Sequence, residues 1–269
     1  MTRGPGPRLA AVLGWPVEHS KSPAILNAAF AAVGLDAEMI AMGTPPEHFA
    51  SAVDGLRRLP MLGASVTVPH KVAAHALCDR RSPAARAIGA VNCLALEGEH
   101  LAGHNTDAPG FVDAIAAAGW PLRGARIVLL GAGGAARAVA YGAREAGANV
   151  EVVARSACAW TAARPWPELA EALAGAELVV DCTPAGLDPA ADTAFTAALP
   201  LDALPPRVAT LVYHRRTSLI ERAGERGHAT LDGRAMLVHQ AAHAFAIWTQ
   251  QAAPLAIMTR ALDDCLKIS

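Results

Sequence analysis

The sequence of 269 residues is poor in charges, aromatic residues and cysteines. Charged residues make up 17% and aromatic residues 4%, and the 23 basic residues are balanced by 24 acidic ones. Because there is neither a basic excess nor a basic run, we do not expect a nucleic-acid-binding face. The five cysteines are scattered without a CxxC pair. This favours reduced thiols in a cytoplasmic protein over a disulfide framework or a zinc site.

Long apolar runs are also missing. The sequence is 53% hydrophobic, but much of this is alanine, and no uninterrupted apolar stretch reaches the roughly 18 residues of a membrane-spanning helix. The Gly/Pro-rich residues before Leu9 lack the apolar centre of a secretory signal. The hydrophobic fraction and the balanced charge exclude a disordered chain, and the length predicts one large domain or two ordinary ones.

Strand and helix signals alternate through most of the chain. Apolar runs ended by glycine or proline predict buried strands, and a hairpin is expected around Gly98. The chain then ends in two helices, 235–247 and 254–266, with no strand between them. This pattern predicts an α/β fold with a parallel sheet covered on both faces, whose last helices return to the first domain. The main predicted strands are 9–13, 39–42, 63–68, 126–130, 150–154, 178–182 and 208–213, and the main predicted helices between them are 23–33, 48–59, 71–77, 109–118, 135–145, 168–174 and 218–225.

A glycine-rich turn lies directly between the strand 126–130 and the following helix. In the order Gly131-x-Gly133-x-x-Ala136, the first glycine permits a tight turn and the second lets the backbone approach a diphosphate. Ala136 permits close packing of the helix on the strand, and the helix N-terminus then faces the phosphates. The turn predicts dinucleotide binding; a turn needed only for packing is the alternative.

The end of the next strand distinguishes NAD from NADP. Glu151 has the usual spacing for an acid that binds the ribose, but it lies at the start of its strand. Arg155 and Ser156 follow the carboxyl end, where ligands bind, and a guanidinium suits a 2′-phosphate. We therefore expect NADP, with a solvated surface cation as the alternative interpretation of Arg155.

Polar residues cluster at a few places in the first hundred or so residues. Lys71 follows a strand and begins a helix, where the helix dipole disfavours a cation, so its position indicates a chemical use. With Asp107 it would form the acid–base pair that a dehydrogenase needs. Capping offers a structural alternative for Ser22 and for Asp107. The clustered residues are Ser20, Ser22, Ser65, Thr67, Lys71, Asn92 and Asp107.

At these residues the sequence resembles the shikimate/quinate dehydrogenase family over nearly its full length. The resemblance rests on several motifs in the same order. They are Ser20-x-Ser22-Pro23, Val66-Thr67-x-Pro69-x-Lys71, Gly89-Ala-Val-Asn92, Asn105-Thr-Asp107, Asp232-Gly233 and Met236–Ala242.

The resemblance implies an NADP-dependent enzyme of aromatic amino-acid biosynthesis that reversibly reduces 3-dehydroshikimate to shikimate. It implies a split substrate domain of residues 1–104 and 234–269 and a Rossmann-type, doubly wound NADP domain of residues 105–233. Lys71 and Asp107 would be catalytic. Substrate would be held by Ser20, Ser22, Ser65, Thr67, Lys71, Asn92, Asp107, Tyr213 and Gln240. The cofactor would be held by Gly131, Ala132, Gly133, Gly134, Ala135, Ala154, Arg155 and Ser156, and Thr183, Leu211 and Gly233 would line its nicotinamide end.

The sequence departs from the family pattern at four places. Ser65 replaces a usual Asn, and Asp181-Cys182-Thr183-Pro184 replaces Asn-Ala-Thr-Ser. Arg155 lacks the usual preceding Asn and a second basic residue soon after it. The segment from Tyr213 to Thr217 is one residue short. These departures leave the lysine–aspartate chemistry in place and bear on substrate and cofactor preference.

Other functions remain as alternatives. They are a quinate or related cyclic hydroxy-acid dehydrogenase and a non-catalytic NADP-binding sensor. A metal hydrolase built on His239 and His243 would lack the Glu of an HExxH motif, and Ser65 does not stand in a GxSxG serine-hydrolase turn. We expect no metal, no nucleic-acid or membrane partner, a cytoplasmic location, and a monomer or homodimer.

Overall fold

A computed structural model describes residues 7–156 and 158–267. The chain divides into two compact units. The first contains the described residues up to Gly110 and those from Val238 onward, and the second comprises Phe111–Leu237.

The first unit is built on a six-stranded mixed sheet in the order β2-β1-β3-β5-β6-β4. The strands β1, β2 and β3 are parallel, whereas β5 runs antiparallel to both β3 and β6. The predicted hairpin is confirmed, with Gly98 at φ +65° between β5 and β6. The strands are β1 Arg8–Gly14, β2 Ala37–Gly43, β3 Met61–Val66, β4 Arg80–Arg81, β5 Cys93–Glu97 and β6 His100–His104.

The helices of this unit include the end of the chain. Phe30 of the first helix stacks on Phe245 with ring centroids 5.8 Å apart. Trp248 donates a hydrogen bond from Nε1 to the carbonyl oxygen of Leu94 in β5 at 2.9 Å. The C-terminal helices therefore return to the first unit, as predicted. The helices are α1 Ser22–Ala32, α2 Phe49–Arg57, α3 Lys71–Leu77, α4 Pro83–Ile88 and α11 Leu255–Lys267, together with α5 Asp107–Ala117 and α10 Arg234–Thr249, which each have residues in both units.

The second unit contains a parallel sheet in the order β12-β11-β10-β7-β8-β9. This is the doubly wound dinucleotide-binding order, which reverses between β7 and β10. One buried apolar cluster lies around Ile127 and Leu129 and another around Val128 and Leu130, so each face of β7 is covered. The strands are β7 Arg126–Leu130, β8 Asn149–Ala154, β9 Arg164–Pro165, β10 Leu178–Asp181, β11 Arg207–Thr210 and β12 Ala229–Leu231.

The remaining helices are α6 Gly134–Glu145, α7 Leu169–Leu173, α8 Pro189–Ala197 and α9 Ser218–Glu225. Asp188 caps α8 by accepting a hydrogen bond from Ala191 N at 2.8 Å, and Thr217 caps α9 by accepting one from Ile220 N at 3.4 Å. Within residues 7–156 and 158–267, none of the helices is long and apolar enough to cross a membrane.

Candidate active site

The register of the first sheet gathers its polar loops at one edge. Ser65 in β3 lies opposite Cys93, the first residue of β5, and Cys93 lies opposite His104, the last residue of β6. Because β5 is antiparallel to both neighbours, the segments after β3 and β6 and the segment before β5 meet at the same edge. Thr67, Asn92 and Asp107 lie in these segments or at their ends.

Lys71 and Asp107 form a close ion pair at this edge. Lys71 Nζ lies 2.6 Å from Asp107 Oδ2, and the two side chains are 20% and 9% exposed. Lys71 is the first residue of α3, and Asp107 is the first residue of α5, where the helix dipole favours an anion. The predicted pair therefore exists and is largely shielded from water.

Asn92 holds the carboxylate from its other side. Its Nδ2 donates to Asp107 Oδ1 at 2.8 Å and to Thr106 Oγ1 at 3.0 Å, while its Oδ1 accepts from Thr106 N at 2.7 Å. Gln240 Oε1 also accepts from Asn92 Nδ2, at 3.5 Å. Asn92 is buried, so the amide fixes the orientation of the carboxylate that faces Lys71. The sequence did not single out the Thr106 hydroxyl, which belongs to this network.

The capping interpretation of Asp107 is wrong. The α5 backbone N–H of Ala108 donates to Asn105 Oδ1 at 3.2 Å, so the side chain of Asn105 serves this helix end. Both carboxylate oxygens of Asp107 instead bind side chains, Lys71 and Asn92.

The capping interpretation of Ser22 is also wrong. Lys21 occupies the N-cap position of α1, with no capping bond from a side chain. Ser22 lies inside the first turn and is buried, and its backbone N–H donates to Ser20 Oγ at 3.3 Å. The two serines are therefore neighbours at the start of α1.

Thr67 joins the carboxyl ends of β1 and β3. Its backbone N–H donates to Leu13 O at 2.9 Å. Its methyl group lies so close to Gly14 that a Cβ at position 14 would collide with it. Glycine is therefore required at position 14 for this approach.

His70, which the sequence analysis did not single out, supports the start of α3. Its ring stacks on Phe49 with centroids 4.2 Å apart and planes 8° apart. His70 Nε2 lies 2.7 Å from Thr44 O, and since a carbonyl can only accept, this nitrogen carries the proton. Only its place between Pro69 and Lys71 could have drawn attention to it. The fixed ring precedes Lys71 directly and restrains the backbone from which that side chain extends.

The glycine turn in the second unit has the geometry of a diphosphate site. Gly131 has φ +95°, which favours glycine, and its N–H donates to Val153 O at 2.8 Å. Gly133 is the N-cap of α6, no side chain caps this end, and a Cβ at Gly133 or Gly134 would meet no atom within 4 Å. Open space in front of uncapped backbone N–H groups fits a diphosphate group. Ala136 is fully buried, as close helix–strand packing requires.

The other predicted cofactor residues follow neighbouring strands. Ala154 ends β8, and Arg155 and Ser156 after it are exposed. Among the described residues Arg155 has no carboxylate partner. Glu151, by contrast, pairs with Arg126 at 3.6 Å and with Arg164, so its carboxylate is already used within the protein.

The three residues predicted at the nicotinamide end lie at the carboxyl ends of β10 and β11 and just after β12. A Cβ on Gly233 would collide with the carbonyl oxygen of Leu211, so only glycine at position 233 lets these two backbone segments lie so close together. Thr183 lies beside Gly131, where a Cβ on the glycine would be 3.1 Å from the threonine methyl group. This is the position where the strand order reverses, and dinucleotides bind there in such sheets.

Asp181 adds a buried carboxyl group next to Thr183. Its Oδ1 accepts from Thr183 N at 2.9 Å. Burial raises the pKa of Asp181 to about 6, against the opposing effect of the Thr183 hydroxyl and backbone N–H. Burial likewise raises the pKa of the neighbouring Cys182 thiol well above its usual value.

Tyr213 and Gln240 belong to different units. Gln240 lies in the first unit, where it contacts Asn92, and its backbone would collide with a Cβ on Gly110. Tyr213 lies in the second unit, after β11, and packs edge-on against His214 at 5.8 Å. Within the described part of the chain, no cluster of three or more His, Cys, Asp or Glu side chains could hold a metal ion.

Comparison with known proteins agrees with this arrangement. Residues 12–94 match the profile of the shikimate dehydrogenase substrate binding domain, and residues 233–262 match that of the shikimate 5′-dehydrogenase C-terminal domain. The shikimate dehydrogenase (NADP(+)) of Symbiobacterium thermophilum is 42% identical, over 97% of this chain and 95% of the relative.

Solved structures extend the similarity to three dimensions. Shikimate 5-dehydrogenase from Thermus thermophilus in complex with NADP(H) and shikimate has a TM-score of 0.84 at 36% identity, covering 96% of this chain and 99% of the other. A 5-ketofructose reductase from Gluconobacter, 28% identical, has a TM-score of 0.81 and covers 97% of this chain and 100% of its own. With 42% identity to a curated relative over nearly its whole length, the chain belongs to the shikimate dehydrogenase family.

Proposed function

We propose that the chain is an NADP-dependent oxidoreductase that reversibly reduces 3-dehydroshikimate to shikimate in aromatic amino-acid biosynthesis. The observation that carries the proposal is the shielded Lys71–Asp107 pair, 2.6 Å apart, at a sheet edge that also presents hydroxyl groups. When bound, NADPH supplies the hydride for this reduction. The protein must supply the proton that the carbonyl oxygen takes up.

Lys71 is the proton donor in the proposal. Its ammonium group donates a proton to the substrate oxygen during reduction and recovers one during oxidation. Asp107 orients this ammonium group and balances its charge, and Asn92 keeps the carboxylate in place through the 2.8 Å bond to Oδ1. The substrate is held by its hydroxyl and carboxylate groups. The proposed substrate contacts are Ser20, Ser22, Ser65, Thr67, Lys71, Asn92, Asp107, Tyr213 and Gln240.

The second unit supplies the proposed cofactor contacts. Uncapped N–H groups at the start of α6 would hold the diphosphate, and Arg155 would face the 2′-phosphate. The proposed residues are Gly131, Ala132, Gly133, Gly134, Ala135, Ala154, Arg155, Ser156, Thr183, Leu211 and Gly233. The proposed substrate domain is residues 1–104 and 234–269, and the proposed NADP domain is residues 105–233. The two compact units change over slightly later in the chain, after Gly110 and after Leu237, so Asp107 lies in the first unit.

One observation favours a second candidate within the same chemistry. The 5-ketofructose reductase has nearly the same fold as this chain. Ser65 stands where the resemblance to the family leads us to expect Asn, so the side chain available for one proposed substrate contact is shorter. A cyclic or open-chain polyol ketone other than 3-dehydroshikimate, or quinate in the oxidative direction, is therefore the alternative substrate.

A spectrophotometric assay of NADPH tests the proposal. Shikimate, quinate and 5-ketofructose are compared by kcat/KM. Oxidation of shikimate and quinate is measured with NADP and with NAD, and reduction of 5-ketofructose is measured with NADPH and with NADH. The highest kcat/KM with shikimate and NADP is the expected result. A higher kcat/KM for quinate or 5-ketofructose would identify that compound as the substrate in place of shikimate. Tight NADP binding without turnover of any of the three compounds would favour a non-catalytic sensor.

The role of Lys71 is tested by Lys71→Ala. Loss of a general acid–base group typically lowers kcat by about 10²- to 10⁴-fold, and cofactor affinity should stay nearly unchanged. Lys267→Ala is the matched control, because this exposed lysine pairs with Asp264 at 3.3 Å on the last helix and is not one of the proposed site residues. Wild-type kcat in the Lys71 variant would refute the assignment.

We also propose a cytoplasmic location and an assembly state of either monomer or homodimer. A cytoplasmic location follows from the biosynthetic role and the scattered cysteines. Either a monomer or a homodimer is compatible with the proposed chemistry, because the residues assigned to the site all come from one chain. Sedimentation at several protein concentrations distinguishes these two states.

A further inference from the structure

We infer that Arg137, held by Trp160, is the second cation that recognises the 2′-phosphate of NADP. This inference rests on the proposed use of NADP. In the sequence, only Arg155 stands near the end of β8, and one guanidinium is a modest basis for selecting a phosphate over a hydroxyl. The structure provides a second guanidinium from a different element.

The next basic residue along the chain after Arg155 cannot fill this role. It is Arg164, whose guanidinium is engaged by three carboxylates: it pairs with Glu151, with Glu168 at 3.6 Å and with Glu171 at 3.2 Å. Its charge is therefore already neutralised within the protein.

Arg137 has no such partner. It lies in the first turns of α6, directly after the glycine turn, and its backbone N–H donates to Gly133 O at 3.1 Å. Its side chain is half-buried, and no described carboxylate pairs with it. A partly shielded guanidinium beside an uncapped helix N-terminus has a strong attraction for an anion.

Trp160 fixes the position of this guanidinium. The carbon Cζ of Arg137 lies 5.9 Å from the centroid of the Trp160 ring, within the range of a cation–π contact. Trp160 is itself attached to the glycine turn, because its Nε1 donates to Ala132 O at 2.9 Å. One indole therefore links the conformation of the turn to the placement of Arg137.

The strand register places both arginines at the same edge of the sheet. Leu130 at the end of β7 pairs with Val153 of β8, and Gly131 N donates to Val153 O at 2.8 Å. The glycine turn and the segment that begins at Arg155 thus leave the sheet side by side. A phosphate on the ribose, next to the diphosphate, would lie between Arg155 from one strand end and Arg137 from the adjoining helix.

Binding measurements on the purified full chain test the inference without relying on turnover. Isothermal titration gives Kd for NADP, NAD and the probe adenosine 2′,5′-bisphosphate. Hydrogen bonds between charged groups imply that Arg137→Gln weakens binding of NADP and of the probe by roughly 10- to 100-fold and binding of NAD by less than about threefold. Arg144→Gln is the matched control, since Arg144 lies at the other end of α6, where it bonds to Val150 O at 3.3 Å.

Two variants of Trp160 separate positioning from folding. Trp160→Phe keeps an aromatic face for Arg137 and should retain most of the NADP preference, whereas Trp160→Ala should lose it. Thermal unfolding of each variant checks that it is folded. Equal losses of NADP and NAD affinity in Arg137→Gln, or no loss of either, would overturn the inference.

The Kd values of the wild-type protein for NADP and NAD separate a failure of the proposed cofactor from a failure of the role inferred for Arg137. If the wild-type protein binds NADP no more tightly than NAD, both the proposed cofactor and the role of Arg137 are refuted. If wild type prefers NADP and Arg155→Gln removes this preference while Arg137→Gln does not, the cofactor stands and the role of Arg137 is refuted.

Discussion

Replacing the buried Asp181 by Asn should stabilise the protein at neutral pH. Asp181 is only 2% exposed, and its Oδ1 accepts a hydrogen bond from Thr183 N. An amide oxygen can accept the same bond without a buried negative charge. The substitution therefore removes the unfavourable desolvation of the carboxylate while leaving this hydrogen bond in place.

The magnitude follows from the pKa of Asp181, which burial raises from 3.8 to about 6. Between these two values the folded state keeps a proton that the unfolded state has released. Stability therefore falls as the pH rises through this window, and the loss is complete above about pH 6. A shift of about 2 units corresponds to about 3 kcal/mol at pH 7. An unpaired amide N–H₂ in the variant would cost about 1–3 kcal/mol at every pH, which leaves a net gain of about 0–2 kcal/mol at pH 7 and does not alter the rise of the gain with pH.

Urea unfolding at pH 4.5, 5.5, 6.5 and 7.5 measures the difference between Asp181→Asn and wild type. The gain in unfolding free energy of the variant should increase steadily with pH and then level off. Asp202→Asn is the matched control, because the fully exposed Asp202 lies 3.8 Å from Arg226 and its substitution should leave stability nearly unchanged at each pH. A difference for Asp181→Asn that does not vary with pH would show that its carboxyl group is not held protonated by burial.

Two further substitutions test close contacts in the second unit. Gly233→Ala would force a Cβ into the carbonyl oxygen of Leu211, and we expect a loss of about 1–3 kcal/mol in calorimetry together with weaker NADPH binding; unchanged values would mean that the backbone at Gly233 relaxes freely. Arg215→Ala removes the 2.9 Å partner of the buried Asp192 carboxylate. We expect a loss of about 2 kcal/mol in urea unfolding and a raised KM for the substrate if the segment that carries Tyr213 is displaced, whereas wild-type stability would show that the ion pair contributes nothing.

Local sequence signals predict those elements whose ends are chemically marked. The structure has α3 at Lys71–Leu77, β7 at Arg126–Leu130 and α9 at Ser218–Glu225, each with the predicted bounds. Proline, glycine or a capping threonine stands next to these elements. Where the apolar sequence continues beyond the last residue that is hydrogen-bonded in the sheet, the predicted strand is too long. The strand predicted to reach Tyr213 ends at Thr210.

The physical reason for this early end is a competing set of hydrogen bonds. Val212 N donates to Thr210 Oγ1 at 3.4 Å, and Val212 O accepts from Gly233 N at 2.9 Å. The second contact depends on the position of a segment 21 residues away, about which local periodicity carries no information. The helix α8 was not predicted for a related reason: its alanine-rich sequence has no clear apolar period, and Asp188-Pro189 reads equally well as a turn.

The site residues show the same division. The type and order of Lys71, Asn92 and Asp107 along the chain could be recognised, but the network that joins them could not. Asn92 could have bound substrate alone, and Asp107 could have capped its helix. Which of these occurs depends on the antiparallel register of β5 between β3 and β6, because this register places all three side chains at one edge.

Helix stability does not explain the placement of charge at this edge, whereas the proposed acid–base chemistry does. Asp107 at the start of α5 is stabilised by the helix dipole, whereas Lys71 at the start of α3 is opposed by it. A sequence selected for helix stability alone would place an acidic residue at both positions. The structure accommodates the unfavourable cation by setting the carboxylate 2.6 Å away and by fixing that carboxylate through Asn92. The Lys71 side chain is 20% exposed, whereas the Asp107 side chain is 9% exposed. This difference in exposure agrees with the proposed roles, in which Lys71 exchanges a proton with the bound substrate and the more buried Asp107 orients it.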